Sequence, residues 1–259
     1  MPNGSADPRS SSRRIADDLR EAIDSGQIPP GGRLPSTREL VDRYKVAAET
    51  VRQVIQHLKA VGVVETIQGS GTYVRQYQPL DWWPATFEHA AHRGDVPGSE
   101  YDAWAATVVA AGRTPSQVVK VDRVKAPAAV SKRLDIPADE LVAVRYRVRY
   151  VDAVPWQTAD SYYPLWVAEG TPILEAESDV TIPGGLMAAT GHAQEWFDDV
   201  LELRMPTPMD LQRLAMAATG TAVGEYIRTG YDSNERPVRV NIAVLPGDRN
   251  RIRWHVRGR

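Results

Sequence analysis

The chain has 259 residues, of which 42% are hydrophobic and 25% charged, with 19 Gly, 19 Pro and no Cys. This length leaves one large domain or two smaller ones open, and the hydrophobic share argues against a mainly disordered chain. The lack of Cys excludes a disulfide scaffold, a zinc-finger site and a cysteine nucleophile. No apolar run approaches the ~18 residues of a membrane span, and the polar segment 1–12 is unlike a signal peptide, so a cytoplasmic protein without a membrane partner is expected. The net charge of −2 conceals a division: residues 1–77 hold 11 Lys and Arg against 9 Asp and Glu, and residues 78–259 hold 20 against 24. That asymmetry is too mild to identify a nucleic-acid-binding half by itself.

Residues 1–12, rich in Ser, Pro and Gly, read as a disordered tail. Ile15, Leu19, Ala22 and Ile23 recur at helical spacing and predict a helix over Arg13–Ser25, stopped by Gly26. Pro29-Pro30-Gly31-Gly32 is a loop. Ser36 and Glu39 form a capping-box signature that opens a second helix through Leu40, Val41 and Tyr44. After a break at Lys45–Ala47, a third helix carries Val51, Val54, Ile55 and Leu58 inward and ends near Gly62. Two β-prone runs, Val63–Ile67 and Thr72–Arg75, flank Gln68-Gly69-Ser70-Gly71 and predict a hairpin with a glycine-rich tip. Two helices and such a hairpin make the winged helix-turn-helix pattern over residues 13–77.

Residues 78–98 read as a linker, with Trp82 and Trp83 docked and not left in solvent. Over residues 99–259 the pattern changes. Tyr101–Ala111 predicts a helix closed by Gly112, and Val118–Val124, Leu141–Val151, Trp156–Tyr163, Gly224–Tyr231 and Val238–Leu245 predict strands. Helices are expected at Val130–Leu134, Pro172–Glu177, Gly184–Thr190 and Pro208–Ala217, and hairpin turns at Asp152-Ala153 and Asp232–Arg236. The fold class is therefore α+β, with a second domain around an antiparallel sheet.

With these residues in view, the first segment resembles the winged helix-turn-helix of the GntR family. The resemblance rests on Ile15-Ala16-Asp17-Asp18-Leu19-Arg20, the run from Gly32 to Leu40, Thr50-Val51-Arg52 with Leu58, and the run from Gly69 to Val74. Residues 99–259 resemble the UTRA effector-binding and dimerisation domain of the HutC subfamily. The motifs are Gly112-Arg113-Thr114-Pro115, Arg147-Val148-Arg149, Ser161-Tyr162-Tyr163-Pro164, Gly230-Tyr231-Asp232, Arg236-Pro237-Val238 and Gly247-Asp248-Arg249. The resemblance implies a chorismate-lyase-like antiparallel sheet and a ligand-responsive transcriptional regulator. It further implies a repressor that binds a palindromic operator on double-stranded DNA as a homodimer and is released by a small-molecule effector. A DNA-binding dimer without a ligand is one alternative. A small lyase-type enzyme is another, for which the sequence offers no acid–base or nucleophile constellation. No cofactor and no metal site is expected; His89 and His92 are three apart but have no third ligand nearby.

On an ideal helix beginning at Ala48, the side chains of Glu49, Thr50, Arg52 and Gln53 project outward. Arg52 can present two donors to guanine or hold a phosphate, and Thr50 can reach a phosphate or a thymine methyl. The resemblance adds Arg38 at the start of the second helix, and Gln68 and Gly69 at a wing tip lying in the minor groove. A lone surface arginine is most often a solvated charge; Arg38 and Arg52 are distinguished by the complete pattern around them. Many family members carry Arg where this chain has Ala48, so a different operator is implied.

In the second domain, Arg147 and Arg149 lie two apart on one strand face, and two adjacent cations call for an anion near them. Either an effector supplies it, or acids such as Asp160 or Glu225 do. The next strand turns Gln157, Ala159 and Ser161 to one side and Thr158, Asp160 and Tyr162 to the other. The resemblance implies an effector site of Arg147, Arg149, Ser161 and Arg239. Phosphosugar sensors have Glu at the positions matching Ala159 and Arg239 and an aromatic at that of Leu245, so the effector expected here is more apolar and carries a carboxylate. Trp104, Trp156, Trp166, Trp196 and Trp254 are expected mostly in the core, and Asp198-Asp199 as a solvated pair.

Overall fold

The computed structural model describes residues 8–76, 79–84, 103–175, 185–188, 190–216 and 220–254. They fall into two compact units, one reaching to residue 78 and the other starting at Pro79, with Gly220 and Thr221 grouped with the first.

The first unit consists of helices α1 (Pro8–Asp24), α2 (Thr37–Tyr44) and α3 (Ala48–Ala60), then strands β1 (Val64–Ile67) and β2 (Gly71–Val74). The strands pair antiparallel, with Val64 opposite Val74 and Ile67 opposite Gly71. Val51, Val54 and Leu58 lie at helical spacing, so one stripe of α3 enters a core with Ile15, Leu19 and Leu40 while the opposite stripe faces out. The expected capping box is complete: the Glu39 N–H donates to Ser36 Oγ and the Ser36 N–H donates to the Glu39 carboxylate. Residues before α2 extend the wing, since the Leu34 N–H donates to Thr72 O and the Val74 N–H to Gly32 O. Of the disordered tail expected over residues 1–12, residues 8–12 belong instead to α1, which begins at Pro8, and residues 1–7 lie outside the described residues. Proline suits a first helical position, because its φ is preset and the amide it lacks has no partner there.

The second unit contains, in chain order, β3 (Leu80–Trp82), α4 (Ala103–Ala110), β4 (Pro115–Lys125), α5 (Ala128–Leu134), β5 (Leu141–Val151), β6 (Val154–Pro164), α6 (Leu165–Ala168), a 3-10 turn (Pro172–Leu174), α7 (Gly185–Ala188), β7 (Trp196–Arg204), α8 (Pro208–Arg213), β8 (Val223–Tyr231), β9 (Pro237–Pro246) and β10 (Asn250–Ile252). Six strands form one antiparallel sheet in the order β4-β5-β6-β9-β8-β7. It is two antiparallel runs of strands adjacent in sequence, β4-β5-β6 and β7-β8-β9, joined where Thr158 to Tyr162 of β6 lie opposite Val244 to Val240 of β9. The β5–β6 turn has Asp152 and Ala153 at φ 50° and 63°, the left-handed pair that a two-residue hairpin of right-handed twist requires. Strand periodicity then divides the faces. Val142, Val144, Tyr162, Ile227 and Val240 pack against Val130 and Leu134 of α5, while Ala159, Tyr226 and Ala243 on the other face meet Trp82, Trp104 and Val108.

Several expectations are revised. The linker expected over 78–98 contains β3, which pairs in parallel with β10, and its Trp82 is buried edge-on to Tyr226 at 4.5 Å between centroids. The pair Asp198-Asp199 is exposed on β7, as expected, but also ion-paired: Asp199 accepts from both Nε and Nη2 of Arg228 at 2.7 Å and Asp198 pairs with Arg133 at 3.3 Å. Trp104 and Trp156 are core residues, but Trp166, Trp196 and Trp254 are 45%, 44% and 49% exposed. Trp196 stacks on Tyr231, and the Arg236 guanidinium covers the Trp166 ring, so each apolar face finds a surface partner in place of the core. The helix expected over Pro172–Glu177 is a 3-10 turn ending at Leu174, and that over Pro208–Ala217 ends at Arg213. His89 and His92 lie outside the described residues.

One ion pair fastens α8 to the sheet. Arg213 donates from Nη1 and Nη2 to the two oxygens of Asp160 at 2.6 and 2.8 Å, and the Asp160 side chain is only 13% exposed. Removing one member leaves the other charge poorly solvated. Asp160→Asn is expected to lower the unfolding free energy by about 3 kcal/mol, measured by urea denaturation; an unchanged midpoint would show that solvent, not Arg213, satisfies this carboxylate.

Candidate nucleic-acid interface and ligand face

The start of α2, Ile55 of α3 and the base of the wing meet around a groove of about 220 Å³, whose lining also includes Arg33, Ser36 and Thr72. The two helix starts differ. Hydrogen bonds from Ser36 hold the Glu39 carboxyl below its ordinary range, so the ionised form closes the start of α2. The N-cap of α3 is Ala47, which makes no side-chain hydrogen bond, so the positive end of this helix is left without a side-chain cap.

Glu49 and Arg52 are both about two-thirds exposed on the first turns of α3, and Arg52 Nη1 donates to the Glu49 carboxylate at 2.9 Å. The sequence separated these two residues by role; the structure couples them. Gln53 and Arg38 are exposed, whereas Thr50 is half-buried and its N–H donates to Ala47 O. Gln68 and Gly69 are exposed at the wing tip, where Gly69 has φ 76° and open space around it. Arg33, not singled out from sequence, packs against the base of the wing: a Cβ on Gly71 would lie 2.9 Å from its Nε. The available signal was its place three residues before the capping-box Ser36.

In the second unit, Arg145, Arg147 and Arg149 alternate along one face of β5. Register sets Arg145 opposite Ser161 and Arg149 opposite Gln157, and Ser161 opposite Asn241. The Ser161 hydroxyl donates to Asn241 Oδ1 at 3.1 Å and accepts from Arg239 Nη2 at 3.2 Å and Arg147 Nη1 at 3.5 Å. One proton and two lone pairs are thus all engaged. Three of the four expected effector residues, Arg147, Ser161 and Arg239, therefore converge from three strands on one atom. The fourth, Arg149, lies over the ring of Trp104 at 5.0 Å.

Arg145 was missed, although it continues the same period-two series. It is fully buried and Nη1 donates to Ile173 O at 2.8 Å and Glu175 O at 2.9 Å. Arg228 of β8 is also buried, held by Asp199 and Pro84 O, and Nη2 donates to the Tyr226 hydroxyl at 2.9 Å. Burial pushes the Tyr226 phenol far above its ordinary range, so it accepts as a neutral group. The alternative that Asp160 or Glu225 neutralises the arginine face is corrected. Register turns both acids to the opposite face, where their carboxylates pair with Arg213 and Arg204.

Comparison with known proteins agrees with both halves. The profile of the bacterial regulatory proteins, gntR family, matches residues 11–74, and that of the UTRA domain matches residues 110–251. An uncharacterised HTH-type transcriptional regulator of Streptomyces coelicolor, SCO4628, is 32% identical over 244 residues, 92% of this chain and 89% of the relative. The chain belongs to the GntR family. Its UTRA domain corresponds to the HutC subfamily, so it is a DNA-binding transcriptional regulator with an effector domain. A crystal structure described as a GntR-family transcriptional regulator superposes with a TM-score of 0.62 at 26% identity, covering 96% of this chain and 98% of that one. PhnF from Mycobacterium smegmatis shares the fold, with a TM-score of 0.56 at 18% identity over 95% of this chain and 100% of its own. Among the described residues, no helix of this GntR regulator is long and apolar enough to cross a membrane.

Gly71 has φ 135°, a backbone region that side chains rarely adopt. Gly71→Ala is expected to destabilise the first unit by about 1–3 kcal/mol and to displace Arg33, read as a lowered denaturation midpoint together with weaker DNA binding. Unchanged stability would show that the wing accommodates a side chain there.

Proposed function

We propose that this GntR-family protein is a ligand-responsive repressor. It binds a palindromic operator as a homodimer and is released by a small molecule held on the arginine face of its UTRA domain. The observation that carries this reading is the convergence of Arg147 and Arg239 on the Ser161 hydroxyl. Two guanidinium groups aimed at one point suit a carboxylate, which takes paired charge-assisted hydrogen bonds. Ala159, on the same face, supplies no acceptor for sugar hydroxyls, which favours an apolar carboxylate over an amino-sugar phosphate.

On the DNA side, Arg52, Thr50, Glu49 and Gln53 read the major groove, Arg38 meets the backbone, and Gln68 with Gly69 enters the minor groove. Ala48 removes a potential guanine contact worth about 1–3 kcal/mol, so the operator differs at that base. Affinity then depends on two heads binding two half-sites about one helical turn apart. By linkage, the effector weakens DNA to the same degree that DNA weakens the effector. The relatives are transcriptional regulators, which supports a regulator over an enzyme.

Gel-shift titration with a fragment of its own promoter tests the DNA side. Arg52→Ala is expected to weaken binding about tenfold or more, whereas Glu49→Gln, which removes a negative charge beside Arg52, tightens it on all sequences and blurs base preference. A tighter or unchanged Arg52→Ala complex would overturn the assignment. A thermal-shift screen tests the ligand side: apolar carboxylates are expected to raise Tm in the wild type and not in Arg147→Met or Ser161→Ala. Stabilisation by hexosamine phosphates alone would refute this effector class.

A further inference from the structure

The arginine–serine cluster accounts for one end of a ligand. We propose that Trp156 and Gln157 of β6 hold the other end, and that the effector carries there a hydrogen-bond acceptor beside a donor, as an amide does. The inference rests on the carboxylate reading above and adds a second recognised group to it.

Trp156 and Gln157 are neighbours in sequence and would turn to opposite sides of a regular strand. A register shift prevents this. Gln157 lies opposite Arg149 and Pro155 opposite Tyr150, so Trp156 is an extra residue with none opposite it. Such a bulge re-aims a side chain. Trp156 accordingly packs in the cluster of Ala159, Tyr226, Ala243 and Trp104, the face to which Arg149 also turns, over the Trp104 ring. The Arg113 guanidinium, itself tied to Asp152, lies 4.4 Å over the Trp156 ring and holds it in place.

Both residues are buried, Trp156 to 6% exposure and Gln157 to 1%. Trp156 Nε1 can only donate and Gln157 Oε1 can only accept. Among the described residues, neither atom has a hydrogen-bond partner. A buried polar atom left unmet lowers stability, so two of them on consecutive residues call for a further group. One unmet donor and one unmet acceptor are the complement of an amide, whose C=O accepts and whose N–H donates. A water molecule offers the same two functions, but only a ligand contact makes them selective. Ala159 stands between Gln157 and Ser161 on the same face, with Ala243 opposite it. The Cα atoms of Gln157 and Ser161 are about 13 Å apart along the strand. The molecule that reaches both ends is thus a carboxylate with an apolar middle over the two alanines and an amide at its far end.

Three carboxylates of equal chain length probe this by isothermal titration: ε-acetamidocaproate, its ester counterpart ε-acetoxycaproate, and nonanoate, each also with longer spacers. Measured relative to nonanoate, Trp156→Phe is expected to weaken the amide and the ester about tenfold, because the indole N–H serves the carbonyl of both. Gln157→Met is expected to weaken the amide alone by a similar factor, because the ester has no N–H to donate. The free Gln157→Met protein melts at or above the wild type, since the oxygen it removes has no partner. Losses shared equally by the three molecules, as a packing defect or a displaced water gives, would overturn the assignment and leave the carboxylate reading standing. A lowered Tm of free Gln157→Met would show that its oxygen is already met and would overturn that contact. Failure of the wild type to bind any of the three, or binding that survives Arg147→Met undiminished, would defeat the carboxylate reading itself.

Discussion

A guanidinium group keeps its charge at any pH a protein meets, so each arginine taken into a sheet interior must be given acceptors in fixed positions. The second domain does this repeatedly. Arg145 is clamped to two main-chain carbonyls, Arg228 is held by both oxygens of Asp199, and Arg147 and Arg239 meet at Ser161. The strands are locked in register by this requirement as much as by their ladders. A one-residue slip would carry these charges to the face that holds Val142, Val144 and Val240. The candidate site and the fold are thus specified by the same alternation, which keeps Asp160 and Glu225 on the far face.

The first domain solves a smaller problem with local means. Its core is one stripe from each helix, and its two helix starts are treated differently. The start of α2 is sealed by Ser36 and Glu39, and that of α3 is left to Ala47. Arg52 is not an idle charge either, because Glu49 holds it in place. Such a pair on an exposed surface contributes little to stability. If Arg52 reads DNA as proposed, the pair acts on recognition, since DNA would compete with Glu49 for the same guanidinium.

What could be read from the sequence follows from how local each signal is. The capping box at Ser36, the stripe on α3 and the bounds of β5 are set by residues a few positions apart, and the structure reproduces them. β7 was not legible, because Trp196–Arg204 is an edge strand with acids on both faces and no clean alternation. β3 and β10 are three residues long and pair across about 170 positions, a contact that no local pattern announces. Arg145 was hidden differently: its period matched Arg147 and Arg149, but its partners lie on a turn whose position depends on the folded chain. The three exposed tryptophans show that aromatic size alone does not decide burial, because a ring can be covered by an arginine or by a neighbouring ring.

The junction of the two runs of strands has a consequence for the life of the chain. Each run pairs strands adjacent in sequence, but the β6–β9 seam joins residues such as Ser161 and Asn241 that lie 80 positions apart. Contacts of that range are late and slow to form, because a long loop must close first. The arginine–serine cluster sits on this seam. A molecule bridging Arg147 and Arg239, as proposed above, would act as a staple across this long-range seam and slow its opening. Sensing and kinetic persistence would then be one property, with the occupied regulator outlasting the empty one against unfolding and proteolysis.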